Sequence, residues 1–304
     1  MLHLNVTDET SRLRAVLLGT AESCGPVPTP EEAYDPKSLE HILAGTYPKE
    51  EDMVKEMEAF AAVFEKYGVK VYRPKVFKDV NQIFSRDITF VIEDKLIKAN
   101  ILPDREIEIE AIKHVLDEIP QENIITPPKD VHIEGGDVMP YGDYIFIGTY
   151  SGADYSDYIT ARTNKAGVEF IRSLFPNKKV KSFELRKSNT IANENALHLD
   201  CCFQPVGKDM AIIHKNGFLV EEEYLWLVNF FGKDKVFEIT KDEMYHMFSN
   251  VFSISPEVVV SERNFTRLNN WLREKGFTVE EIPYAEISKQ EGLLRCSTMP
   301  LIRD

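Results

Sequence analysis

The sequence predicts an α/β chain of five ββαβ units closing into a five-bladed propeller around a central channel. Three observations carry this. Five stretches with apolar residues at helical spacing each lead into a short apolar strand. Hairpin-like strand pairs sit between them, in several cases turning at Asp, Gly or Asn. The units recur at roughly 42–56 residues, the period of a radial or stacked repeat. An open α/β sheet with coincidental spacing is the competing arrangement. No linker interrupts the pattern, so residues 1–304 are expected to form one domain.

Taken in order, residues 12–19 alternate and then run apolar, as a strand does. A Pro-rich stretch from Gly25 to Pro48 is long for a connection and reads as a loop able to act as a lid. Residues 50–67 place Met53, Met57, Phe60, Ala61 and Phe64 on one helical face and stop at Gly68, before a strand at Val69–Pro74. Helices are expected over 104–118, 158–174, 221–231 and 264–275, the last two stopping at Gly232 and Gly276. They lead to strands at Ile124–Pro127, Val180–Leu185, Val236–Ile239 and Thr278–Pro283. Expected hairpins include Ile88–Ile92 with Leu96–Ala99, Val138–Tyr141 with Tyr144–Gly148, and His198–Pro205 with Met210–His214.

Apolar residues make up 43% and charged residues 28%, which suits a water-soluble core of substantial size. The net charge of −14 disfavours nucleic acid and anionic membrane as partners. No apolar run approaches about 18 residues, and the first residues lack the basic and apolar regions of a secretory signal. Cys24, Cys201, Cys202 and Cys296 follow neither disulfide-framework nor zinc spacing, so the expected compartment is the reducing cytoplasm.

Polar groups recur at matching places in the repeat. Phe84-Ser-Arg-Asp87 and His132-Ile-Glu-Gly-Gly-Asp137 each precede a hairpin, His198-Leu-Asp200 begins another, and Arg295-Cys296-Ser-Thr-Met-Pro300 lies near the end. Gly-Gly at 135–136 permits a close approach of backbone or ligand to Glu134. A spacing of two would set His198 and Asp200 on one face of a strand. A thiolate is a ready nucleophile, a His held by a carboxylate can shuttle protons, and two further carboxylates can bracket a planar cation. The cation that offers N–H groups on two sides of an electrophilic carbon is a guanidinium.

These four motifs, in this order, resemble the guanidino-modifying superfamily of the pentein fold, which includes arginine deiminases, dimethylarginine dimethylaminohydrolases and glycine amidinotransferases. The resemblance covers nearly the whole chain. It implies Cys296 as a nucleophile forming an amidino-thioether, His198 as general acid and base, and Glu134 as the group orienting His198. It implies Asp87 and Asp200 as grips on the guanidinium nitrogens, Asn81 as a substrate contact, and Arg162 near a substrate carboxylate. Glu134 resembles the hydrolases, while Cys202-Phe203-Gln204-Pro205 looks more like the amidinotransferases. Where arginine deiminases carry an Arg shortly before the nucleophile, this chain has Glu291. Arg162 or Arg105 would then be the alternative clamp for a carboxylate.

The expected activity is cysteine-dependent hydrolysis of a guanidino C–N bond in arginine or a small arginine-like compound. The alternatives are transfer of the amidino group to an amine and, remotely, a non-catalytic binding pentein. No metal or organic cofactor is implied, because thiolate and proton shuttle suffice, and a homodimer is the default assembly. Asp137 is expected to support the site without catalysing, Arg86 to be an ion-pair partner holding the strand start, and His3, His214 and His246 to be surface or satisfied core histidines.

Overall fold

Each repeat becomes one sheet of three strands, in a computed structural model that describes residues 1–304. The sheets are β15 (Thr298–Arg303), β1 (Leu13–Leu18) and β2 (Lys70–Tyr72); β3 (Thr89–Ile92), β4 (Lys95–Lys98) and β5 (Ile124–Ile125); β6 (Val138–Tyr141), β7 (Tyr144–Thr149) and β8 (Lys179–Glu184); β9 (Phe203–Val206), β10 (Met210–Ile213) and β11 (Val236–Glu238); β12 (Phe252–Ser255), β13 (Val258–Glu262) and β14 (Thr278–Ile282). In every sheet the middle strand is antiparallel to one neighbour and parallel to the other. The parallel step needs a crossover, and a helix supplies it.

The helices are α1 (Pro36–Leu43), α2 (Glu50–Lys66), α3 (Ser85–Ile88), α4 (Ile107–Ala111), α5 (Lys113–Leu116), α6 (Lys165–Leu174), α7 (Glu221–Phe231), α8 (Lys241–Tyr245) and α9 (Thr266–Glu274). Helix α2, the α4–α5 pair, α6, α7 and α9 are the five crossovers. The expected stops at Gly68, Gly232 and Gly276 carry φ of +66°, +91° and +91°, values that only glycine adopts freely.

The inner strands are buried on both faces, which explains their unbroken apolar runs. Helix α2 turns Met53, Met57, Phe60 and Phe64 inward, and the Phe60 ring meets Phe252 and Tyr284 at 5.8 and 5.7 Å. That contact ties the first blade to the fifth. Filling such a site with a full ring stabilises by about 3–5 kcal/mol relative to Ala. The first blade itself joins both ends of the sequence, since β1 pairs with β15.

Three expectations change. The Gly25–Pro48 stretch contains α1, started by Pro36 and capped by Asp35, whose carboxylate accepts from Ser38 N at 2.7 Å. The helix expected from residue 158 begins at Lys165, capped by the Asn164 side chain on Gly167 N; the preceding residues loop over the site instead. His198–Cys202 is not strand: Leu199–Cys201 is a 3-10 turn, because Asp137 Oδ1 accepts from Leu199 N at 2.9 Å. His198 and Asp200 therefore do not share a strand face. No helix is long and apolar enough to cross a membrane.

Candidate active site

The turn that enters the first strand of each blade carries a polar group toward one shared centre. Asp87 sits on α3 before β3, Glu134 opens the 3-10 turn before β6, and His198 and Asp200 flank the 3-10 turn before β9. Cys296 lies in the turn before β15. The fifth blade contributes Asn250, just before β12, which the sequence reading did not single out. Its Nδ2 donates to Cys296 Sγ at 3.2 Å, while its Oδ1 accepts from Arg295 N at 2.9 Å and Cys296 N at 3.2 Å. The repeat was the signal: Asn250 occupies the place that the other four blades fill with the expected residues.

Cys296 and His198 line one cavity of 780 Å³ together with Asp87, Asn81, Arg162 and Glu291. The nucleophile turn is locked to the Asp87 turn by Arg86 N–H donating to Cys296 O at 3.0 Å. Arg86 also donates from Nε to Arg295 O at 3.3 Å and approaches Glu9 at 3.9 Å, the supporting task expected of it.

His198 Nε2 hydrogen-bonds Glu134 Oε2 at 2.7 Å, and its Nδ1 lies 3.8 Å from Asp87 Oδ1. Burial opposes charge on the ring, but Asp87, Glu134 and Asp137 outweigh it and raise the His198 pKa. Burial also presses on Glu134, yet Arg162 and His198 hold its carboxylate down to about 2. A Cβ on Gly136 would fall 2.6 Å from the imidazole, so the Gly-Gly pair is what lets the ring sit where it does. Asp137 acts from behind, holding Leu199 N beside His198.

Burial raises the Cys296 thiol well above its ordinary value, and the negative charges of Asp200 and Asp87 add to this. Sγ makes no hydrogen bond with His198; its partners are Asn250 Nδ2 and, at 3.5 Å, Asp200 Oδ2. The same Asp200 oxygen accepts from Arg295 Nη1 at 2.9 Å, and Arg295 pairs with Glu9 through two 3.0 Å bonds. Asp200 therefore lies beside the sulfur and shares its charge with Arg295.

The remaining expected residues are placed as follows. Asn81 donates to Gln290 Oε1 at 2.6 Å on the cavity wall. Arg162 donates to Glu134 Oε2 (3.2 Å), Ile159 O (2.7 Å) and Tyr34 O (2.8 Å), so on the cavity wall it tethers the Gly25–Pro48 segment to the Glu134 carboxylate. Arg105 is likewise committed, to Asp87 (3.0 Å) and to both oxygens of Glu108 (2.7 and 3.1 Å). Cys201 and Cys202 are packed in the core, and His214 Nδ1 bonds Ile239 O at 2.8 Å.

Four buried carboxylate oxygens around the site have no protein donor: Asp87 Oδ1 and Glu134 Oε1 beside His198, Asp137 Oδ2 behind it, and Glu291 Oε2. Leaving such acceptors unpaired costs about 1–3 kcal/mol each, which a donor-rich cation would recover. Asp87, Glu134 and His198 offer ligand atoms within 4.8 Å of one another, the spacing of a cation-binding set. Glu134 Oε2 and Asp87 Oδ2 are already engaged by His198, Arg162 and Arg105, so a metal would compete with those bonds.

The family described as N,N dimethylarginine dimethylhydrolase, eukaryotic, matches residues 46–303. An uncharacterized protein, YkgA, of Bacillus subtilis (strain 168) is 29% identical over 223 residues, covering 73% of this chain and 70% of that protein. An arginine deiminase of Treponema denticola is 29% identical over 212 residues, covering 57% of this chain but only 47% of that enzyme. The solved structure of SxtG, an amidinotransferase from Microseira wollei in the saxitoxin biosynthetic pathway, superposes with a TM-score of 0.74 at 19% identity, covering 99% of this chain and 97% of that one.

Proposed function

Since the chain belongs to the N,N dimethylarginine dimethylhydrolase family, within the guanidino-modifying pentein superfamily, we propose that it hydrolyses a guanidino C–N bond through a covalent adduct on Cys296. That it acts on guanidino C–N bonds is common to its relatives. The finer reading rests on one observation: the orphaned oxygens of Asp87 and Glu134 lie beside His198, and Asp87 and His198 line the cavity that Cys296 shares. A guanidinium brings the N–H donors those oxygens lack and the electrophilic carbon a thiolate needs. Residues 1–304 act as one unit in this reading.

Before substrate binds, burial and then the Asp200 and Asp87 carboxylates keep Cys296 as a thiol. A bound guanidinium reverses that field, and the thiol passes its proton to solvent water. The thiolate then forms a C–S bond to the guanidinium carbon while Asn250 supports the sulfur. His198, kept protonated by Asp87 and Glu134, gives its proton to the departing nitrogen, and the C–N bond breaks. The neutral imidazole next takes a proton from water, the oxygen adds to the amidino carbon, and collapse expels the Cys296 thiolate. The protonated ureido group gives its extra proton back to the Cys296 thiolate, the departed nitrogen takes up the proton lost to solvent, and the products are a ureido compound and ammonium, with His198 ending as it began.

The fold likeness to an amidinotransferase favours a second reading, in which an amine takes the place of water. One experiment separates the two. The protein is incubated with L-arginine, agmatine, methylated arginine and acylated arginines, with and without glycine or ornithine. Ammonia or amine plus ureido product without an acceptor is the expected result. Product formed only with an acceptor present overturns hydrolysis in favour of transfer.

A further inference from the structure

We infer that the cavity beside Cys296 receives a guanidino compound whose other end is an ammonium rather than a carboxylate, held by Glu291 and Asp35. The inference rests on the proposed reaction at Cys296 and names the substrate class for it.

The cavity is lined by eight Asp and Glu side chains against three Lys and Arg. Two of the three cations are already paired with protein carboxylates: Arg105 with Asp87 and Glu108, Arg162 with Glu134. The third, Lys49, is exposed. A substrate carboxylate entering this wall finds each buried cation already paired with a carboxylate and several further carboxylates to repel it.

Glu291 points the other way. It is 5% exposed, lines the cavity, and has one oxygen, Oε2, with no hydrogen-bond partner, while Oε1 accepts from Asn195 Nδ2 at 2.6 Å. Its backbone is left-handed, at φ +55° and ψ +32°, a conformation that Glu does not choose by local preference. Gly292 follows it because a Cβ there would fall 2.3 Å from the Phe84 ring. Asp35, also on the cavity wall and nine-tenths buried, disfavours ionisation of Glu291 through its charge and a carboxyl–carboxylate hydrogen bond, after burial itself has done so, so an arriving ammonium meets a paired set of two carboxyls. Behind them Lys37 donates to Tyr245 O at 2.5 Å and does not line the cavity. With both carboxyls ionised, the trio of Asp35, Glu291 and Lys37 carries one net negative charge, which one ammonium neutralises.

The test uses the whole protein and two readouts. The first is labelling of Cys296 by 2-chloroacetamidine, a small amidinium electrophile with no tail, in the presence of 1,4-diaminobutane or L-ornithine. The second is kcat/KM for agmatine, L-arginine and Nω,Nω-dimethyl-L-arginine. The expected results are protection by the diamine and not by ornithine, and a preference for agmatine of about 100-fold or more. Glu291→Gln should cut that preference at least about tenfold, and Glu291→Arg should turn it toward L-arginine. Labelling at Cys296 with protection by ornithine, by both amines equally or by neither overturns the inference while leaving the reaction at Cys296 standing. A carboxylate-bearing substrate preferred by the unmodified protein does the same. No labelling of Cys296 and no turnover of any guanidine instead refutes the proposed reaction, and the inference falls with it.

Discussion

Replacing Asn250 by Ala removes the one neutral hydrogen bond that Sγ receives, the 3.2 Å contact from Nδ2. A hydrogen bond to a charged partner is worth about 1.5–3 kcal/mol. At about 1.36 kcal/mol per tenfold, kcat/KM should fall by a factor of about 10 to 150, and the thiol pKa should rise by about one to two units. The variant also strips Arg295 N and Cys296 N of their shared acceptor, so a drop in stability of about 1–3 kcal/mol should accompany the kinetic loss. Stability alone cannot separate support of the sulfur from scaffolding. The deciding assay is the pH profile of Cys296 labelling by 2-chloroacetamidine, followed by mass spectrometry of the peptide containing residue 296. Support of the thiolate requires the rising limb to move to higher pH in Asn250→Ala. An unmoved limb, with kcat/KM within about threefold of the parent, would refute the reasoning.

Cys296→Ser should abolish turnover in the guanidino assay while leaving the thermal midpoint within a few degrees, since the two side chains are nearly isosteric; residual activity above one part in about 10³ would count against covalent chemistry. Arg295→Met should lower stability by about 3–5 kcal/mol in urea titrations, because Glu9 and Asp200 lose their close partner inside the core; a loss below about 1 kcal/mol would show that water reaches them. The pH dependence of stability should show two limbs. Glu134, depressed from 4.5 to about 2 on folding, stabilises above pH 4.5 and loses that contribution as pH falls toward 2. His198, raised above 6.5, stabilises below 6.5 and loses its contribution as pH climbs through the folded value. Urea midpoints across pH 3–9 check this, and Glu134→Gln should shrink both limbs.

The repeat and four of the five blade-entry turns were legible because the sequence advertises them. Gly135-Gly136 marks a close approach, Gly68, Gly232 and Gly276 mark helix ends, and apolar runs mark the doubly buried strands. Asn250 was not legible alone: Ser249-Asn250-Val251 has no glycine, charge or alternation to single it out, and only its place in the repeat does so. Helix α1 was passed over although Asp35-Pro36 with Ser38 is a clear start, because the many prolines around it suggested an irregular loop. The error over His198 and Asp200 is of another kind. A period of two holds only while the backbone stays extended, and a carboxylate 62 residues away bends it. Arg162, Arg295 and Glu9 form buried pairings across long sequence separations, which no local pattern records.

Cys296 stands two residues before β15, the strand that completes the first blade with β1 from the other end of the sequence. A pairing of such long range is among the slowest and last contacts a chain makes. Until it forms, residue 296 is an ordinary solvent-facing thiol, open to oxidants and to other thiols. Once it forms, burial and two carboxylates keep the sulfur protonated and unreactive. The closing strand thus works as a safety catch: it shields the sulfur from peroxide as it arms the site, and only an incoming cation releases it. A nascent or heat-opened chain should accordingly age through oxidation at this one residue, while the closed protein keeps its thiol in the same bath.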